Sequence, residues 1–193
     1  MNCLNTHLLA IYRVDPATGA LTHAGTIPTG RSPGPPAASA DGRLLWVPNQ
    51  DSDSLSILKI DPFSGLPVAV SRLPCGRTPH CVAVHPSGLF LHVVRRLEGD
   101  VVTFAIDRMY GGLTLRGSVV AGFNARLMAI DPSGRFAYVT NYDSNSITCY
   151  TIDQATGQLA LAGVVPCERE PIGLAMSPCG SHLYVTSYAT GSI

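Results

Sequence analysis

Lysine is nearly missing from this chain: of its thirteen basic residues, only Lys59 is not arginine. Charge is scarce altogether, at 13% of residues, and acids and bases cancel to a formal net charge of zero. A chain with no basic excess lacks the electrostatic footprint of nucleic-acid binding, so no nucleic-acid partner is expected. No apolar stretch approaches the roughly 18 residues of a helical membrane span. The segment from Met1 to Leu9 lacks the basic, apolar and small-residue succession of a secretory leader, so a cytoplasmic setting without a membrane partner is expected. Sustained helical periodicity is absent too, which argues against a bundle or an α-solenoid. Neither a Gly-x-Ser-x-Gly elbow nor a phosphate-binding glycine loop occurs.

What the chain has in place of these is a period. Gly42, Gly88, Gly134 and Gly180 lie 46 residues apart, as do Asp15, Asp61, Asp107 and Asp153, and Gly19, Gly65, Gly111 and Gly157. Each period carries four short β-prone runs separated by turn residues. In the third copy these are His80–His85, Leu89–Val94, Val101–Ile106 and Leu113–Val120. A tandem four-stranded unit of this length is the signature of a β-propeller blade. The expected fold is therefore all-β, a partial propeller of four-stranded antiparallel blades. Residues 31–76, 77–122 and 123–168 make whole blades, and residues 1–30 and 169–193 make partial ones. The six cysteines spread over five phases of the period, with only Cys75 and Cys167 equivalent. Equivalent strands two blades apart exceed the roughly 7 Å that a disulfide spans, so reduced thiols are expected.

The copies also carry a family resemblance. Tyr138-Val139-Thr140-Asn141 and Tyr184-Val185-Thr186-Ser187 resemble the Tyr-Val-Thr-Asn signature of one class of propeller repeats. The turns from Asp15 to Thr22 and from Asp153 to Leu159 resemble those of the lactonase-type, 6-phosphogluconolactonase-like propellers. That family has seven blades, so the resemblance implies that this chain spans only about four of them. The partial blades at its two ends are complementary. They are open to three readings: a piece of a seven-bladed protein, a small closed ring, or self-association through open blade edges.

Function is expected where the copies diverge. The turns after the first and third strands are nearly invariant and read as turn chemistry. The opposite face carries the crossings between blades and the loops after the second strands, and most of the remaining charge gathers there. The resemblance implies hydrolysis of a sugar lactone such as 6-phosphogluconolactone, with a small-molecule lactone or sugar acid as partner. His80 and Glu98 are the candidate catalytic residues, His80 as general base. Arg77, His85, Arg95, Arg96, Arg126 and Arg169 are the candidate substrate contacts, arginine being suited to bidentate capture of phosphate or carboxylate. Two departures stand out: the family carries Asn-Glu after the second strand, where this chain has Arg95-Arg96 with Glu98 two residues later, and the family's remaining blades, with any site residues they carry, are missing from this sequence. His80 and His85 are equally open to structural roles, His85 lying before a proline in a turn. Asp51, Asp53, Asp143 and Asn145 are oxygen donors on one face but belong to different blades, so no metal or cofactor is expected. The alternative reading is a non-catalytic propeller that binds protein or small ligand on the same face.

Overall fold

The computed structural model describes residues 2–3 and 7–189. Seventeen strands fall into five separate antiparallel sheets. The first sheet holds β1 (Asn2–Cys3), β2 (Leu8–Val14) and β3 (Leu21–Pro28), and the second holds β4 (Ala37–Ala38), β5 (Leu44–Asn49), β6 (Ser54–Ile60) and β7 (Pro67–Pro74). The third comprises β8 (Pro79–Val84), β9 (Phe90–Arg95), β10 (Asp100–Ile106) and β11 (Leu113–Val120). The fourth comprises β12 (Ala125–Ile130), β13 (Phe136–Asn141), β14 (Ser146–Ile152) and β15 (Leu159–Pro166). β16 (Pro171–Met176) and β17 (Leu183–Ser187) form the fifth. These are propeller blades, three complete and two partial. The β1–β3 and β16–β17 sheets do not pair with one another, so the described residues form an open arc rather than a small closed ring.

Burial explains the strand composition. β9 (FLHVVR) has neighbours on both faces and is buried over five consecutive residues, so it reads as a continuous apolar run. The outer strand β11 is mostly exposed and carries Arg116 and Ser118 among its apolar residues. Between the second and third blades, Trp46, Leu55, Leu91, Val93 and Phe104 pack into one core; Val94, Val101, Ala137, Val139 and Tyr150 pack between the third and fourth. Blades thus gain their apolar burial from their neighbours, as stacked repeats must.

The invariant turns hold as the sequence predicts. Asp61 Oδ1 accepts from the amides of Phe63 and Ser64 at 3.2 and 2.7 Å, and the amide of Gly65 (φ +70°) donates to the Asp61 carbonyl at 2.8 Å. Those backbone donors hold the Asp61 carboxyl below its usual range, and Asp15 and Asp153 are depressed by the same local turn bonding. All five described cysteines are free thiols.

One side-chain network recurs at the end of the second strand. Asn49 Oδ1 accepts from the Gly30 amide at 2.9 Å while Nδ2 donates to Ser54 and Ser56 at 3.3 and 3.0 Å. Asn141 repeats this with Gly122 at 2.9 Å, Ser146 at 3.1 Å and Thr148 at 2.8 Å. A Cβ on Gly30 or Gly122 would lie 2.5 Å from the asparagine Cγ, so glycine is required there. The third blade departs from the pattern, with Arg95, Asp100 and Val102 in the corresponding positions.

Candidate functional site

The crossing face is built from three backbone features repeated at the period. In the first strand of a blade the register slips near its start, between Pro79 and Cys81 in β8 and between Ala125 and Met128 in β12. His80 and Arg126 occupy these bulges, 46 residues apart. A bulge residue leaves the ladder, and its side chain is re-aimed away from the regular pleat. The second feature is a left-handed residue in each crossing: Ser32, Thr78, Asn124 and Glu170, with φ between 50° and 58°. The third is the residue after the second strand. The amides of Gln50, Arg96, Tyr142 and Tyr188 each donate to the carbonyl of the nearby left-handed residue, at 3.0 to 3.1 Å.

These features bring His80, Arg96, Arg126 and Tyr142 together. His80 is half-buried, with Nδ1 3.1 Å from the Arg126 carbonyl oxygen. A carbonyl only accepts, so Nδ1 carries the proton and Nε2 keeps its lone pair. Burial first, then the charges of Arg126 and Arg96, push the His80 pKa down to about 4, so the ring is neutral at pH 7. Arg126 lies over the Tyr142 ring, 4.5 Å from its centroid, and the Tyr142 hydroxyl donates to Glu170 Oε2 at 3.0 Å. Burial and the Arg96 charge both lower the Arg126 pKa. Among the described residues both salt bridges involve Arg95, and neither Arg96 nor Arg126 has an acidic partner. The Nε atoms of Arg96 and Arg126 are shut off from solvent with no hydrogen-bond acceptor. Two half-buried arginines without counter-ions beside a neutral histidine make a site poised for an anion.

The other predicted residues are placed apart from this cluster. Arg95 forms a two-pronged ion pair with Asp100 and lies 3.8 Å from Glu98, so its charge is already engaged. Glu98 accepts from the Arg77 amide at 3.2 Å, which ties it to its own loop. Arg77 and Arg169 are exposed on the crossings. His85 sits at the far end of β8 from His80 and is only 2% exposed. Its ring nitrogens are both occupied, by Ser87 Oγ and the Gly134 carbonyl, each at 2.8 Å. The reason is positional: His85 stands where Ser39, Asp131 and Ser177 stand in the other copies, opening the turn that ends at the repeated glycine. It is a turn residue, and the structure places it away from the crossing face. Among the described residues no three His, Cys, Asp or Glu side chains gather as a metal site.

Tyr142 and Asn124 join the site without having been singled out from the sequence. Tyr142 shares the phase of Arg96, and Asn124 that of Thr78 beside His80, so alignment of the copies carried the signal.

Residues 5–84 and 76–167 match the family model for the lactonase seven-bladed β-propeller. The chain belongs to this family. Among solved structures it resembles a provisionally assigned 6-phosphogluconolactonase from Bacteroides uniformis, with a TM-score of 0.85 and 19% identity over 94% of this chain. It also resembles the periplasmic gluconolactonase PpgL of Pseudomonas aeruginosa, with a TM-score of 0.76 and 24% identity over 94% of this chain. No curated protein matches it. The lactonase-family arc described here spans 58% of the first of those structures and 52% of the second.

Proposed function

We propose that this lactonase-family chain hydrolyses a sugar lactone carrying an acidic group, phosphate or carboxylate, on its crossing face. The observation that carries this reading is the pair of half-buried, acid-free arginines, Arg96 and Arg126, flanking a neutral histidine. The arginines hold the anionic group of the substrate, and His80 Nε2 takes a proton from water as its oxygen adds to the lactone carbonyl. The tetrahedral intermediate then collapses, the ring C–O bond breaks, and the departing oxygen recovers a proton to give the hydroxy acid. Burial and the two arginine charges together hold the His80 pKa at about 4, which makes it a weak base. Burial sets most of that depression, and an anion between the arginines offsets the part that their charges add, which moves the basicity of His80 upward.

The test is hydrolysis of 6-phosphogluconolactone and of unphosphorylated gluconolactone, corrected for their spontaneous opening. His80→Ala is expected to lower kcat on the phosphorylated substrate by roughly a hundredfold or more, the scale of a lost general base. An unchanged kcat removes His80 from that role. The placement of Glu98 favours a second reading, because it is held by Arg95 and the Arg77 amide and so leaves no acid committed to His80. On that reading the face binds a sugar acid without turning it over, and wild-type protein shows saturable binding but no hydrolysis.

A further inference from the structure

Arg126 is held by a ring rather than by an acid. Its guanidinium carbon lies 4.5 Å from the centroid of the Tyr142 ring, and among the described residues no carboxylate stands within ion-pair distance of it. A carboxylate in that place would hold the arginine firmly, but it would also neutralise the charge and occupy its donors. A ring face attracts the same cation through its quadrupole and takes no hydrogen from it. Arg126 is thus oriented with its charge left free, as an arginine that is to receive an anion must be. Asp143, whose charge also reaches Arg126, is exposed and too far away to pair with it.

The ring is itself held from the next blade. The Tyr142 hydroxyl donates to Glu170 Oε2 at 3.0 Å, and Glu170 ends the crossing that leads into β16. The Glu170 backbone is fixed on both sides: Asn145 Oδ1 takes its amide at 2.8 Å, and its carbonyl accepts the Tyr188 amide at 3.0 Å. Tyr142 is tied at its other end as well, its amide donating to the Asn124 carbonyl at 3.1 Å. Partial burial and then Glu170 raise the Tyr142 pKa, so the hydroxyl keeps the proton it donates. The accepting carboxylate also polarises the O–H bond, which enriches the ring in electrons and deepens its attraction for a cation.

We propose that Tyr142 and Glu170 are positioning residues for Arg126: Glu170 fixes the phenol, the phenol seats the guanidinium, and both act on the bound anion only through that arginine. The assignment rests on the reading of Arg96 and Arg126 as the holders of the substrate's acidic group. It makes a site built from the third and fourth blades depend on a residue that introduces the fifth. It also gives a role to an acid on the crossing face, whose charge is committed to a phenol instead of to either arginine.

Two measurements on the purified chain test this. The first is the arginine Nε–H NMR signal. Arg126 Nε is closed to solvent, so its proton exchanges slowly, and over a ring face it should resonate upfield; Arg126→Lys assigns it. The second is calorimetric binding of 6-phosphogluconate, the product of the proposed reaction. Tyr142→Leu should abolish the upfield shift and weaken binding about tenfold, the scale of a partly buried cation–π contact. Tyr142→Phe keeps the ring and cuts only its tether, so it should fold as the parent does and weaken binding about threefold, the scale of one hydrogen bond. Glu170→Ala cuts the same tether from the other side and should match it. The double variant Tyr142→Phe/Glu170→Ala should lose no more than either single one, which a pair of unrelated structural effects would not produce. With the lactone as substrate, the same variants should raise KM and leave kcat within about twofold, since His80 is untouched. An Arg126 signal unmoved in Tyr142→Leu overturns the assignment, as does full affinity in Tyr142→Phe or additive losses in the double variant. A parent that binds 6-phosphogluconate without hydrolysing the lactone overturns the reaction alone, and the double variant still decides the assignment. A parent that binds no 6-phosphogluconate overturns the anion reading and the assignment with it.

Discussion

The third blade and its two neighbours hold the same backbone together by different chemistry. In the second and fourth blades a neutral asparagine gathers the crossing glycine and two hydroxyls of the third strand. In the third, Arg95 pairs with Asp100 across the same two strands, and Val102 replaces the second hydroxyl. Three positions have changed as a set, with an ion pair taking the place of the asparagine network. Divergence gathers in this blade: it also supplies His80 and Arg96 to the site, a glycine, Gly99, at the left-handed position held by Asp53 and Asn145 in its neighbours, and the buried His85 and His92. A repeat frame can therefore concentrate its variation in one copy while its neighbours keep the regular pattern, provided that contacting residues vary together.

The sharpest way to break that comparison is to change one member alone. Arg95→Ala strands the Asp100 carboxylate in a largely buried place and should cost about 3 kcal/mol in denaturant unfolding. Rebuilding the neighbouring pattern with Arg95→Asn, Asp100→Ser and Val102→Thr together should return stability to within about 1 kcal/mol of the parent. A triple variant no better than Arg95→Ala would show that the ion pair is not equivalent to the asparagine network. Next in size, Asn141→Ala leaves the Gly122 amide and two buried hydroxyls short of partners and should cost about 2 kcal/mol, measured the same way. A change under about 0.5 kcal/mol would mean that water replaces the side chain without loss.

The effect that is smallest at neutral pH, and grows only below it, separates the blades by acid sensitivity. His92 is fully buried and its Nε2 has no partner, and burial pushes its pKa down to about 3. The unfolded chain takes up a proton near pH 6.5 that the folded chain refuses, so stability declines as pH falls from about 6.5 to 3. The contribution of His92 to the slope approaches about 1.4 kcal/mol per pH unit inside that window. Trp46 fills the same phase in the second blade, so His92→Phe should fold and flatten the slope between pH 6 and 4, as followed by urea midpoints. An unaltered slope would place the acid sensitivity elsewhere.

The architecture was legible because the turns carry it. The repeated Asp and Gly positions are fixed by turn hydrogen bonds and positive φ, local demands that show in sequence without knowledge of packing. Side-chain direction was not. Arg95 and Arg96 look like one basic pair, but Arg95 ends β9 and faces Asp100, whereas Arg96 begins the loop and faces the crossing. His80 and His85 look like a pair for the same reason, yet they cap opposite ends of one strand of six residues. The left-handed series running through His7, Asp53, Gly99 and Asn145 was present in the sequence as well. It became readable only once φ values aligned the four positions and hydrogen bonds tied all but Gly99 to an amide 25 residues away.

The bulge at the start of the first strand carries a consequence for descent. His80, Arg126 and Ile172 stand at one phase, a neutral imidazole, a cation and a hydrocarbon, on strands that pair with their neighbours alike. A residue outside the ladder can be exchanged without disturbing the register of the sheet it interrupts. Inheritance can therefore revise the lettering of the crossing face one blade at a time while the scaffold beneath it stays as written.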